Sequence, residues 1–180
     1  MFTLQLNLIE DHFAELEKRL KQLAKSESTT GYFIEQGKHE GTTDDGKREG
    51  MYYTDLVGYH ATGWPSGGLV ARPIFEIAHQ KFTFKDTSMK KDLTTYLKDI
   101  KAKSAKITTD KIHENFIKDL SDEIVDIFGD PSQLPSNKDS TIKQKKVTKS
   151  DSPLVDTKEL RDALSYKIDG SSDKLTKNLG

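Results

Sequence analysis

Eight residues from Gly41, GTTDDGKR, come within one position of the phosphate-cradling pattern G-x-x-x-x-G-K-[ST]. Such a loop surrounds phosphates with backbone N–H groups, neutralises them with Lys, and holds magnesium through a hydroxyl. It follows a buried strand and opens a helix whose N-terminus adds positive dipole. Here Arg48 stands where the hydroxyl belongs, and Asp44 and Asp45 would repel phosphate inside the cradle. Gly50 would weaken the first turn of a following helix by about 1 kcal/mol relative to Ala. Asp45-Gly46 is instead a turn signal, so Gly41–Gly50 reads as a solvated loop, and ATP is expected not to stabilise the protein.

Other reactive residue types are as poorly placed. The five histidines include no H-x-x-x-H or H-E-x-x-H spacing that would put two on one helical face. His12 and His113 sit beside helical stripes, and His39, His60 and His79 are far apart; each reads as a surface or boundary residue. Ser66, in WPSGG, departs from the nucleophile pattern G-x-S-x-G because Trp64 replaces the first Gly. No Asp/Glu pair lies in an apolar setting that would raise one pKa for acid–base work. With no cysteine in the chain, disulfides, thiol catalysis and thiolate metal sites are excluded. The expectation is a non-enzymatic protein with no catalytic residue, no cofactor and no metal. A basic run at Lys143, Lys145, Lys146 and Lys149 could touch a polyanion, although a short charge run is more often solvated.

The 180 residues suit one domain, with 33% hydrophobic and 32% charged residues supporting a modest core. The net charge of −1 gives no whole-surface field for nucleic acid or anionic membrane. MFTLQLNLIEDHF lacks a basic n-region and a long apolar run, and no run approaches a membrane span, so a soluble protein remaining in the cell that makes it is expected.

The elements follow from periodicity. Phe2, Leu4, Leu6 and Leu8 alternate with polar residues, which argues for a half-buried strand over 2–8. Phe13, Leu16, Leu20 and Leu23 form a helical stripe over 10–25, with Asp11 as its N-cap. GYFIEQ (31–36) reads as a strand, 69–72 as a further candidate, and 164–169 as a closing strand. MYYTDLVGYHATG fits a helix face weakened by Gly58. Two helices are expected within 73–103, one with Pro73 in its first turn and one from Asp86 to about Lys103, and another around 110–128. Residues 38–50 and 129–152 read as extended polar loops, and 171–180 as a flexible tail. Asp156 and Glu159 suggest an acidic capping box before Leu160. The fold class is α+β: a small antiparallel or mixed sheet packed against several helices, in a single domain over 1–170.

Two separated stretches resemble the tail-completion or head–tail joining (neck) proteins of tailed bacteriophages. In DLVGYHATGWPSGGLVARPIFEIAHQKF (55–82), Tyr59-His60, Gly63 and Ala71-Arg72-Pro73 match that family's first segment. In STIKQKKVTKSDSPLVDTKELRDALSYKID (140–169), Pro153, Leu154, Asp156, Thr157, Leu160 and Arg161 match its second, and Lys158 replaces a Gly. The resemblance implies a virion protein, with copies forming a hexameric ring between the head connector and the tail tube. The implied partners are further copies of the chain, the tail tube or tail-terminator protein, the head connector or head-closure protein, and packaged DNA. No membrane is involved, and the protein would pass through host cytoplasm during assembly. Tail-terminator and head-closure subunits are neighbouring roles. A nucleic-acid-binding adaptor using Lys143–Lys149 is the alternative of another class. For Trp64, on its Gly-rich turn, two placements stay open: an interface anchor or a core residue. Arg72 is expected to pair with a carboxylate or carbonyl at the sheet edge.

Overall fold

Residues 2–39, 50–83, 88–98, 107–145, 151–154, 158–169 and 175–178 are described by a computed structural model. The architecture is α+β with a small sheet. Helix α1 (Phe2–Lys25) comes first, so residues 2–8 are helical and Asp11 lies inside the helix, not at its cap. Both periods are written there. The alternation covers seven residues, whereas Phe2, Leu6, Ile9, Phe13, Leu16, Leu20 and Leu23 recur at spacings of four and three along the whole segment. No Gly or Pro interrupts 24 residues rich in Leu, Lys, Glu and Gln, and the longer pattern wins.

Strand β1 (Glu27–Gly31) ends where the expected strand over 31–36 would begin. A single 3-10 turn follows at Ile34–Gln36, tied by Gln36, whose Oε1 accepts from Phe33 N at 2.6 Å and whose Nε2 donates to the Ala163 carbonyl. Helices α2 (Tyr53–Thr62) and α3 (Ile74–Lys81) come next. No strand forms over 69–72; Leu69 makes an isolated antiparallel bridge to Trp64. The two helices expected within 73–103 are both present. α3 ends at Lys81, with Phe82 extended, and α4 spans Ser88–Lys98. α5 (Thr109–Ile127) matches expectation within a residue at each end. The expected loop over 129–152 contains a further helix, α6 (Asp139–Gln144), and turns packed onto Leu134, which is 2% exposed. After α7 (Glu159–Asp162) comes β2 (Ser165–Asp169), and β3 (Leu175–Asn178) occupies part of the expected tail. β2 lies between β1 and β3; the short connection to β3 permits only an antiparallel pair. The loop expectation at Gly41–Gly50 falls outside the described residues except at Gly50, and its flanks are joined by an antiparallel bridge between Lys38 and Tyr52.

By its internal contacts the chain divides into two compact units. The first comprises residues 1–29, 83–119 and 167–175. Arg19 is its most deeply buried cation. Its Nε donates to Glu15 at 2.9 Å and its Nη1 to the Tyr96 carbonyl at 2.6 Å, while the guanidinium lies over the Tyr96 ring. Ile112 and Ile117 of α5 are buried in the same unit, but Phe13 and Leu20 of the α1 stripe are 66% and 46% exposed. That stripe is therefore not the buried face its spacing suggests.

The second unit, residues 30–82, 120–166 and 176–180, holds the larger core. Val57 of α2, Ile74 and Ala78 of α3, Ile124 and Ile127 of α5, Leu134, Leu160 of α7 and Leu164 form one cluster. Each fully buried Ile or Leu contributes about 1.5–3 kcal/mol through removal of apolar surface from water. Tyr32 anchors α7 by donating its hydroxyl to the Leu160 carbonyl at 2.5 Å, and burial pushes the phenol up, so it stays a neutral donor. Thr30 Oγ1 lies 2.7 Å from Ser121 Oγ, joining β1 to α5.

The N-cap of α7 is Lys158, not Asp156, which lies outside the described residues. Lys158 adopts φ 69° and ψ −6°, a left-handed conformation that suits Gly. Lys158→Gly should therefore stabilise the chain by about 1 kcal/mol in urea unfolding; a loss of stability would contradict the left-handed turn.

Candidate functional site

The linker between α2 and α3 builds the site. α2 ends at Gly63, with φ 74° and its N–H donating to the Tyr59 carbonyl at 2.8 Å. A Cβ there would come within 2.8 Å of Ala71 N, so both conformation and space require glycine. Trp64 and Leu69 exchange N–H···O bonds at 2.9 and 3.0 Å around a 3-10 turn, Pro65–Gly67, closed by left-handed Gly68. This turn presents Trp64 at 57% exposure, its ring lying over Gly67 and 6.4 Å from Tyr59. Among the described residues Trp64 is thus a surface side chain, and the core placement is the one that fails.

Arg72 follows, 6% exposed. Its own N–H donates to the His60 carbonyl at 2.6 Å. Its guanidinium reaches across to the segment after α5: Nε donates to the Pro135 carbonyl at 3.1 Å, and Nη2 to the Ser136 carbonyl at 3.4 Å and Asn137 Oδ1 at 3.2 Å. The expected carbonyl partners are present, but on an irregular loop and not at a sheet edge. Asp151 closes the arrangement by accepting from Asn137 N at 2.7 Å, a bond that holds its carboxyl below the usual range. Burial pulls the Arg72 guanidinium below its ordinary value, and the Asp151 charge opposes that shift.

These groups border a cleft of about 400 Å³ within the second unit. Leu56, Leu69, Val70, Leu154 and Leu160 give it an apolar wall. Its charged lining, among the described residues, is basic: Arg72, Lys138, Lys145 and Lys158, with His39 and His60 beside them. Lys145 is 7% exposed and donates to the Ser152 carbonyl at 2.5 Å, so it belongs to the packed interior and not to a solvated basic run. His39 Nε2 lies 2.7 Å from the Glu159 carboxylate. His60 Nδ1 is buried without a hydrogen-bond partner among the described residues. Burial, reinforced by the Arg72 charge, pushes His60 down to about 4, leaving a neutral imidazole at ordinary pH.

Of the residues singled out in the sequence, Arg72, Lys145 and Leu160 meet in this cleft, and Trp64 stands on the turn that forms one wall. Pro73 occupies the N-cap of α3, one position before the expected first turn. Lys143 is exposed in the last turn of α6 and does not line the cleft, and Lys146 and Lys149 lie outside the described residues. His60 and Lys158, noted in the sequence only as a boundary histidine and through the family resemblance, also line the cleft, and Asn137 and Lys138 join from positions that no sequence pattern marks.

Replacing the fork by a single ammonium should cost stability. Arg72→Lys is expected to lose about 2 kcal/mol in urea unfolding because two of three acceptors lose a charged donor; equal stability would remove the fork from the account. His60 sets a pH dependence. Between about 4 and 6.5 the unfolded chain carries a proton on His60 that the folded chain does not. Stability therefore rises with pH through that window, by on the order of 3 kcal/mol, and the gain is complete above it. His60→Asn should flatten the profile there, and an unchanged slope would show that another group produces it. No protein-family model, no curated protein and no solved structure matches the chain.

Proposed function

We propose that the chain is a non-enzymatic virion protein of a tailed bacteriophage: a tail-completion or neck subunit whose copies form a ring joining the tail tube to the head connector. One observation carries the reading. The two stretches that resemble that family, 55–82 and 140–169, are far apart in sequence, yet they supply most of one cleft. His60, Leu69 and Arg72 come from the first, and Lys145, Leu154 and Lys158 from the second. A further detail supports it. The family pattern has Gly where this chain has Lys158, and Lys158 takes a left-handed conformation natural to Gly. Gly63, Arg72 and Leu160, all within the resembling segments, each have a structural duty here: a helix end, a loop clamp and a core contact.

The physical demands of a ring are met by ordinary means. A ring needs heterologous contacts, in which one patch meets a different patch on the next copy. Trp64, exposed on a turn braced by two backbone bonds, is a rigid aromatic anchor for such a contact. The neighbouring roles of tail terminator and head closure fit the same features.

Immunogold electron microscopy of intact virions, with an antibody raised against the full chain, tests the assignment. Gold is expected at the head–tail junction; gold elsewhere, or on no particle, would end the neck reading. In the same system Trp64→Ala should fold within about 0.5 kcal/mol of wild type and yet be depleted from particles.

A further inference from the structure

The cleft offers positive charge and an apolar wall, and these two demands together describe a ligand. Two of its cations are already engaged: Arg72 by the oxygens of Pro135, Ser136 and Asn137, and Lys145 by the Ser152 carbonyl. Lys138 and Lys158 are exposed, and their ammonium groups have no hydrogen-bond or ion-pair partner among the described residues. Lys138 Nζ lies over Gly68, where an added Cβ would come within 2.9 Å of it. The carboxylates close by, Asp151 and Glu159, accept from Asn137 N and face His39. An arriving anion therefore finds two ammonium groups uncommitted.

A small phosphate would answer those charges but would set its oxygens against an apolar wall. It would also be too small for a volume of about 400 Å³. A stretch of polypeptide answers both demands: its carboxylate meets Lys138 and Lys158, and an adjoining apolar side chain covers Leu56, Leu154 and Leu160.

We propose that this cleft receives a short segment of another protein subunit in which an apolar side chain stands next to a carboxylate. Resting on the assembly role above, the assignment names what one face of the subunit takes hold of.

Fluorescence polarisation on the purified full chain provides the test. The probes are labelled peptides of about eight residues carrying Leu, Phe or Val next to Asp or Glu, and the same peptides with Asn or Gln in place of the acid. A single-stranded oligodeoxynucleotide is a third probe, and inorganic phosphate a competitor. Saturable binding is expected from the acidic peptides and not from their amide counterparts, with no displacement by phosphate. The double variant Lys138→Gln/Lys158→Gln alters only exposed side chains and should bind the acidic peptides roughly tenfold more weakly. Three results would overturn the proposal: no saturable binding by any acidic peptide, unchanged binding by the double variant, or tighter binding of the oligonucleotide or phosphate. Gold labelling at the virion neck together with absent peptide binding would remove the cleft's ligand and leave the neck reading standing. Peptide binding without neck labelling would do the reverse.

Discussion

One guanidinium holds together an irregular segment of this protein. The segment from Asp130 to Lys138 makes turns but no ladder, and its carbonyls at Pro135 and Ser136 find their donor in Arg72. Arg72 in turn is fixed by its own N–H on the His60 carbonyl and by Pro73, which restricts the backbone before α3. The planar fork reaches three acceptors from one side chain, a service a flexible ammonium does not provide. A buried cation usually needs a carboxylate. Here the compensation comes mostly from oxygen dipoles, with Asp151 one residue removed, bonded to Asn137 N. Among the described residues no carboxylate bonds the guanidinium directly, and the cleft keeps its basic character.

That arrangement explains where the sequence was readable. The apolar period of α5 runs through Ile112, Phe116, Leu120, Ile124 and Ile127, and its bounds follow from it, while the buried face turns onto Ile117 and Ser121 in the middle and leaves Phe116 and Leu120 half-buried. β2 is similarly clear, since Tyr166 and Ile168 alternate with Lys167 and are buried. The first eight residues are the counterexample. A seven-residue window supports strand, and the helix is legible only when the window extends to Leu23. The same helix carries a second lesson, because Phe13 and Leu20 share the stripe and yet are exposed. Spacing specifies which residues lie on one face; it does not say that the face is covered.

The candidate site was half legible. Arg72 and Leu160 stood out through their neighbours, and the Gly63 turn through its composition. The rest depends on contacts that no local pattern encodes. Asn137 matters because its Oδ1 meets a side chain 65 positions away. Lys145 looked like one member of a basic run, but it is buried with its ammonium on a carbonyl. Lys158 sits at a left-handed position that a sequence window marks only when glycine is present. Side-chain bonds that stabilise irregular backbone are long-range by nature, and periodicity has nothing to say about them.

The turn that lifts Trp64 into solvent carries the chain's single tryptophan. Its indole emission is thus an optical label belonging to one surface turn, with no interior tryptophan to obscure it. A red-shifted spectrum and ready collisional quenching belong to the isolated chain. A blue shift with loss of quenching, at unchanged circular dichroism, reports that this one turn has been covered. Anything that covers this turn can therefore be detected without an added dye.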